Sequence, residues 1–202
     1  LSGSAFKKVY YDEIMQRAVS KFVPADDLVV PYTATSLDDA ESIIHVVKIS
    51  ENELRKQQVG GFYRDIELNP SYVNESDIEK KERELDGTRK GRDERIFILL
   101  ECHVNLDIDG FNDVDAEGLP TGIKLPYIVT IEEGSRETLS IRRNYEIGDP
   151  LKNKIDYFVH FKFLPGLGFY GFGLIHMIGG LSRTATSALR SLLDAGTLSN
   201  LP

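Results

Sequence analysis

The chain of 202 residues holds a single cysteine, Cys102, so no disulfide can form within it. Stability must therefore come from an apolar core. A composition of 41% hydrophobic and 28% charged residues is ordinary for a soluble globular protein of one or two domains. Cations are also in short supply: 24 Lys and Arg stand against 32 Asp and Glu, a formal charge of −8. Tight sequence-independent binding to a phosphate backbone needs clustered Lys and Arg to release counterions, so any contact with DNA is expected to be loose. No basic-then-apolar signal segment opens the chain, which with the lone cysteine points to an intracellular setting. The most apolar window, Phe158 to Ile178, is interrupted by His160, Lys162, Pro165 and four glycines. A spanning helix needs about 20 continuous apolar residues, so no membrane span is expected. Internal repeats and low-complexity tracts are absent. The start "LSGSAF" lacks Met and the stop "SNLP" follows a helix cap, which reads as a piece of a longer chain.

Motifs that carry chemistry are equally scarce. Gly166, Gly168 and Gly171 satisfy a G-x-G-x-x-G spacing after a strand and before a helix. A dinucleotide fingerprint also needs a βαβ unit with a following parallel strand, and Pro165, Phe169, Tyr170 and Phe172 suit a stiff apolar hinge better than a phosphate cradle. Asp113, Asp115, Glu117 and Gly118 fall at positions one, three, five and six of a calcium loop. Position eight is Pro120 and position twelve is Lys124, so the bidentate acid is missing and a solvated turn is the expectation. Cys102 and His103 are adjacent, so on a strand they face opposite sides and cannot act as nucleophile and base; Cys102 is expected in the core. His45, His103, His160 and His176 show no H-E-x-x-H spacing, no serine sits in a G-x-S-x-G elbow, and the histidines read as residues on strand or helix faces. No catalytic residue, cofactor-binding residue, metal ligand or cofactor is assigned.

The residue pattern predicts an α+β fold: an antiparallel β-meander with short helices and a long C-terminal helix. Alternation around Lys7–Asp12 and Ser20–Tyr32 predicts two strands joined near Glu13–Gln16, with a short helix through "DEIMQRAVS" as the competing assignment. Ser36 with Asp39, Ser50 with Glu53 and Ser76 with Glu79 each place a hydroxyl three residues before a carboxylate. They predict helices over Leu37–Glu41, Glu51–Val59 and Asp77–Leu85, the third carrying a supportive Glu79–Arg83 pair. Ser42–Ser50 is expected to be a strand, with Gly60-Gly61 and Gly87 closing the second and third helices. "TRKGRD" (Thr88 to Asp93) reads as a linker, dividing the chain into 1–93 and 94–202. Period-2 alternation from Ile96 to Ile108 predicts one long strand. Leu125–Ile131, Thr138–Tyr145 and Ile155–Phe163 complete a four-stranded sheet with one buried face. Leu174, Met177, Ile178, Leu181, Ala185, Leu189 and Leu192 recur at three-and-four spacing with Ser182, Thr186 and Arg190 opposite, which predicts a packed amphipathic helix about 33 Å long. Gly179, Gly180, Ala185 and Ala188 leave room for a close approach to its backbone.

The runs "FVHFKFLPGLGFYGFGLIHMIGGLSRTATSALRSLLDAGTLSNLP" (Phe158 to Pro202), "LPTGIKLPYIVTIEEG" (Leu119 to Gly134) and "LSIRRNY" (Leu139 to Tyr145) resemble the wing-to-core passage of tailed-bacteriophage portal proteins. "SAFKKVYYD" and "FVPADDLVVPY" are similar to the region before the wing in podovirus-like portals. The resemblance implies a structural, non-enzymatic subunit of a head-tail connector. About twelve copies would form a ring at one capsid vertex, with terminase motor, capsid and tail adaptor proteins as partners and double-stranded DNA passing loosely through the channel. It further implies a virion protein assembled in the host cytoplasm, of which this is a wing-like part. A net acidic chain without a Lys/Arg stripe fits a channel through which DNA must slide. Two other classes remain open: a stand-alone protein-interaction domain using the long strand's face or edge, which an exposed edge along Ile96–Ile108 would favour, and an enzyme using the Gly166–Gly173 loop, which a concave pocket with convergent perturbed acids beside Gly168 would favour.

Overall fold

The computed structural model describes residues 3–12, 16–68, 81, 84, 85, 87, 96–115, 117–166 and 168–199. The fold is α+β, and among the described residues it is built on two antiparallel sheets and two helices, one of them long and C-terminal. Of the expected helix at Asp77–Leu85 only Lys81, Glu84 and Leu85 are described, and these are helical; the Glu79–Arg83 pair and the linker at Thr88–Asp93 lie outside the described residues. The chain separates into two compact units, one of residues 1–25, 33–39 and 157–202, the other of residues 26–32 and 40–156. A single cut at 93/94 therefore does not match the compact units. Strand pairing sets residues 4–8 beside residues 158–162, which no local change of composition announces.

In the first unit, β1 (Ser4–Asp12) and β2 (Arg17–Val23) form a hairpin, and β8 (Phe158–Lys162) pairs with the other side of β1. Arg17–Ser20 is strand, which overturns the competing helix. The register sets Phe6 opposite both Val23 and His160. Phe6 (0% exposed), Val23, Phe158 and Phe169 form this unit's core, with the His160 ring stacked 4.3 Å from Phe6 and Phe169 lying 5.9 Å from Phe6 and 4.9 Å from His160. Burial holds the His160 pKa below its ordinary value and the nearby Lys162 adds to the depression. Stability from a neutral His160 is thus present above about pH 6.5 and lost as pH falls through its lower folded value.

The second unit carries a five-stranded sheet in the order β3–β4–β5–β6–β7, from β3 (Leu28–Val29), β4 (Ser42–Ser50), β5 (Ile96–Leu106), β6 (Leu125–Glu132) and β7 (Thr138–Arg143). The meander of β5, β6 and β7 agrees with the alternation in the sequence. The fourth expected strand does not join it: β8 pairs with β1 in the other sheet, and β4 takes its place beside β5. On β5, Phe97, Leu99, Glu101 and His103 are buried and alternate with half-buried neighbours. Helix α1 (Glu51–Val59) starts where Ser50 Oγ accepts the Glu53 N–H at 3.3 Å, and the chain turns away at Gly61, whose φ of +76° suits glycine. Leu54 of α1 packs with Phe97, Leu99 and Leu139 to make the core of this unit.

The expected helix at Leu37–Glu41 is absent, although its reciprocal cap forms. Asp39 accepts the Ser36 N–H at 2.9 Å and donates its own N–H to Ser36 Oγ at 3.3 Å. The same carboxylate takes the Thr35 N–H at 3.1 Å and the Thr35 hydroxyl. These bonds close a compact loop, and the next strand begins at Ser42, so no helical turns follow. Chiefly the Thr35 hydroxyl, and next the Ser36 N–H, lower the Asp39 pKa from 3.8 to about 2. The ionised form is the one the loop binds, so its contribution is complete above about pH 4 and lost as pH falls through 2. A carboxyl titration of Asp39 by NMR is expected to give a midpoint near 2, moved up only part of the way to the ordinary value in a Thr35→Ala, Ser36→Ala variant, which loses the hydroxyls and keeps the backbone donors; an ordinary midpoint in the wild-type protein contradicts this loop geometry.

Candidate functional site

The glycine-rich passage after β8 is a closed loop laid against the start of β1. Leu164 and Phe172 exchange backbone hydrogen bonds at 3.3 and 2.8 Å, and Ser4 Oγ accepts the Gly171 N–H at 2.9 Å while lying 3.0 Å from His160 Nε2. Phe169, from the loop's tip, enters the core at 6% exposure. A Cβ on Gly171 would lie 2.6 Å from Gly3 O and 2.7 Å from Leu164 O, and one on Gly166 would lie 2.9 Å from Tyr170 O. These glycines permit close backbone contact within the chain, while Gly168 has nothing within 4 Å. Gly171→Ala is expected to cost at least the roughly 1–3 kcal/mol of ordinary overpacking, because both obstructing atoms are backbone. Lowered thermal stability and faster exchange of the Gly171 amide are the readouts, and wild-type values for both rule the close approach out.

From this base the chain enters α2 (Leu174–Ser199), where His176 Nδ1 accepts the Gly173 N–H at 3.1 Å. The helix spans 26 residues, about 39 Å. Its apolar stripe is bare: Leu181 is 72% exposed, Leu189 62% and Leu192 69%. The expectation of a packed helix is therefore corrected. The apolar spacing is real, but no other described part of the chain covers it. Gly180 likewise has nothing within 4 Å of an added Cβ, and Gly179 meets only Ile175 of its own helix, at 3.7 Å. Arg183, Thr186 and Arg190 occupy the side away from the stripe.

A second polar grouping lies within the five-stranded sheet. His45, Glu101, Thr130 and Ser140 face one another across β4 to β7, and His103 Nε2 lies 2.8 Å from Glu101 Oε1. Burial, reinforced by Glu101 and opposed by Arg142, pushes the Tyr63 hydroxyl up to about 12. The adjoining cavity, lined by His103, Asn144, Ile43 and Pro126 among others, measures about 30 Å³. That volume suits a water molecule rather than a substrate. Sequence alternation placed His103 and Cys102 on opposite faces, as observed, but His103 is the buried member and Cys102 is only half-buried, its thiol pKa raised by burial and by Glu101.

The acidic turn uses its own carboxylates. Asp113 accepts the Thr121 hydroxyl at 2.7 Å and pairs with Lys152, and Asp115 Oδ1 accepts the Glu117 and Leu119 N–H groups, each at 2.9 Å. Among the described residues no group of three or more His, Cys, Asp or Glu is placed to hold a metal ion, and no helix is long and apolar enough to cross a membrane. The chain matches no family model and no curated protein sequence.

Proposed function

We propose that the chain is a structural subunit of a tailed-bacteriophage portal ring, part of the wall of the DNA channel at the capsid vertex. Alongside the sequence resemblance, one observation carries this: a 26-residue amphipathic helix rises from a glycine-closed base with its apolar stripe uncovered. Exposed apolar stripes of this size mark interaction surfaces. Contacts between unlike surfaces of identical subunits close into rings when the rotation per subunit permits. Subunits in such a ring would cover the stripe without any further partner. The interaction-domain alternative called for an open edge along Ile96–Ile108, whereas β5 is paired on both sides, with β4 and β6. The enzyme alternative called for perturbed acids beside Gly168. Of the described acids with shifted pKa values, Asp39 is exposed and Asp113 and Asp149 are half-buried, and each is held by hydrogen bonds of its own turn, Asp113 also by Lys152.

Mass photometry and electron microscopy of the complete gene product test the proposal. Rings of about a dozen subunits around a channel are expected. A product that stays monomeric at tens of micromolar removes it.

A further inference from the structure

A heterologous ring needs two different complementary surfaces on each subunit. The stripe on α2 supplies one, and the first unit carries a second bare apolar surface. Alternation sets Tyr157, Val159, Phe161 and Phe163 on one face of this strand and His160 and Lys162 on the other, and the apolar set is the one a sheet would be expected to bury, but the register buries the other. Phe158 and His160 turn to the core with Phe6, which leaves Val159 (45% exposed) and Phe161 (51%) on the outer face. The pairing of Lys7 with both Phe22 and Val159 extends that face across all three strands, with Val9 and Tyr11 further along β1 and Phe163 just past β8. Tyr11, Phe22 and Phe163 are each 59% exposed or more.

We propose that this outer face of the β2–β1–β8 sheet is the seat for α2 of a neighbouring copy. The inference rests on the portal-ring reading and names the surface that the reading leaves open. Dimensions agree. The face runs about 20 Å from Ala5 to Tyr11 and about 10 Å across three strands, close to the 10–12 Å girth of a helix. The stripe from Leu174 to Leu192 runs about 27 Å. Area agrees as well: an aromatic side chain presents roughly 150–250 Å², so four of them a little over half exposed offer about 400–500 Å². Val9 and Val159 add to that, which reaches the upper end of the roughly 300–600 Å² of the largest patch on a typical monomer and approaches the roughly 800 Å² per partner of a stable interface. Chemistry agrees too. Lys7 is the one charge among the described residues of this face, and its Nζ already sits 5.8 Å over the Phe161 ring, so little charge is desolvated on docking. A second copy fits better than an unrelated partner because one repeated contact covers both bare surfaces of every subunit. Pairing α2 with α2 about a two-fold axis would stop at two subunits and leave the sheet face uncovered.

Two variants of the complete gene product decide it. One carries Leu181→Asp and Leu189→Asp, which spoils the stripe; the other carries Phe22→Asp and Phe161→Asp, which spoils the face. All four positions are more than half exposed, so monomer circular dichroism and melting are expected to match wild type. Neither variant alone is expected to form rings. Mixed in equal amounts, they retain one productive contact, the intact helix of the second on the intact face of the first. Mass photometry is then expected to show a 1:1 species of twice the subunit mass and nothing larger. If the face variant assembles as wild type does, the face serves a different occupant and this inference falls while the portal reading stands. A mixture that stays monomeric overturns the inference as well. Wild-type protein that never assembles removes the portal reading and this inference together.

Discussion

Phe6→Ala is expected to cost about 3–5 kcal/mol, the range for deleting a fully buried aromatic ring whose surroundings cannot collapse. Phe6 is 0% exposed, and its ring is flanked by His160 at 4.3 Å and Phe169 at 5.9 Å. One side chain thus joins β1, β8 and the glycine-closed loop. Loss of the ring removes contacts to all three at once. For a chain of this size roughly 2–4 °C accompanies each kcal/mol, so the melting midpoint of the chain should drop by about 10 °C. Phe22→Ala is the control, since Phe22 is 66% exposed on the opposite face of the same sheet and should melt close to wild type in the monomer. Equal destabilisation by the two substitutions would mean that the Phe6 face of this sheet is not its core.

The second large effect is expected in the other unit. Leu99 is 1% exposed on β5 and packs with Leu54, Phe97 and Leu139, and Leu99→Ala should cost about 2–5 kcal/mol. Chemical denaturation should show a lower midpoint at an unchanged slope, because the surface exposed on unfolding stays the same. Leu100→Ala, one residue along on the half-buried face, should cost less than half as much. A reversed order would place the core of this sheet on the other side.

Much of the local structure was legible from residue patterns. Ser50 three residues before Glu53 marked the start of α1, and Gly60-Gly61 its end, because capping depends only on neighbouring backbone groups. Alternation marked β5 for a similar reason, since successive side chains on an extended chain point to opposite sides whatever lies beyond, and short apolar runs between polar turns marked β4, β6 and β7. The cap at Ser36–Asp39 misled because its hydrogen bonds also suit a tight loop, and five residues before a strand cannot develop a helix.

The sequence by itself thus determined the α+β class, most strand and helix positions, the amphipathic stripe on α2 and the poverty of catalytic motifs. Tertiary structure alone decided that β8 joins β1 rather than β7, that His160 and not Phe161 turns inward, and that the stripe on α2 stays bare. Strand partners are chosen by contacts between residues more than a hundred positions apart, and period-2 alternation is symmetric between the two faces of a strand. An apolar stripe shows that a helix face must be covered, and only its neighbours in space show whether the same chain does the covering.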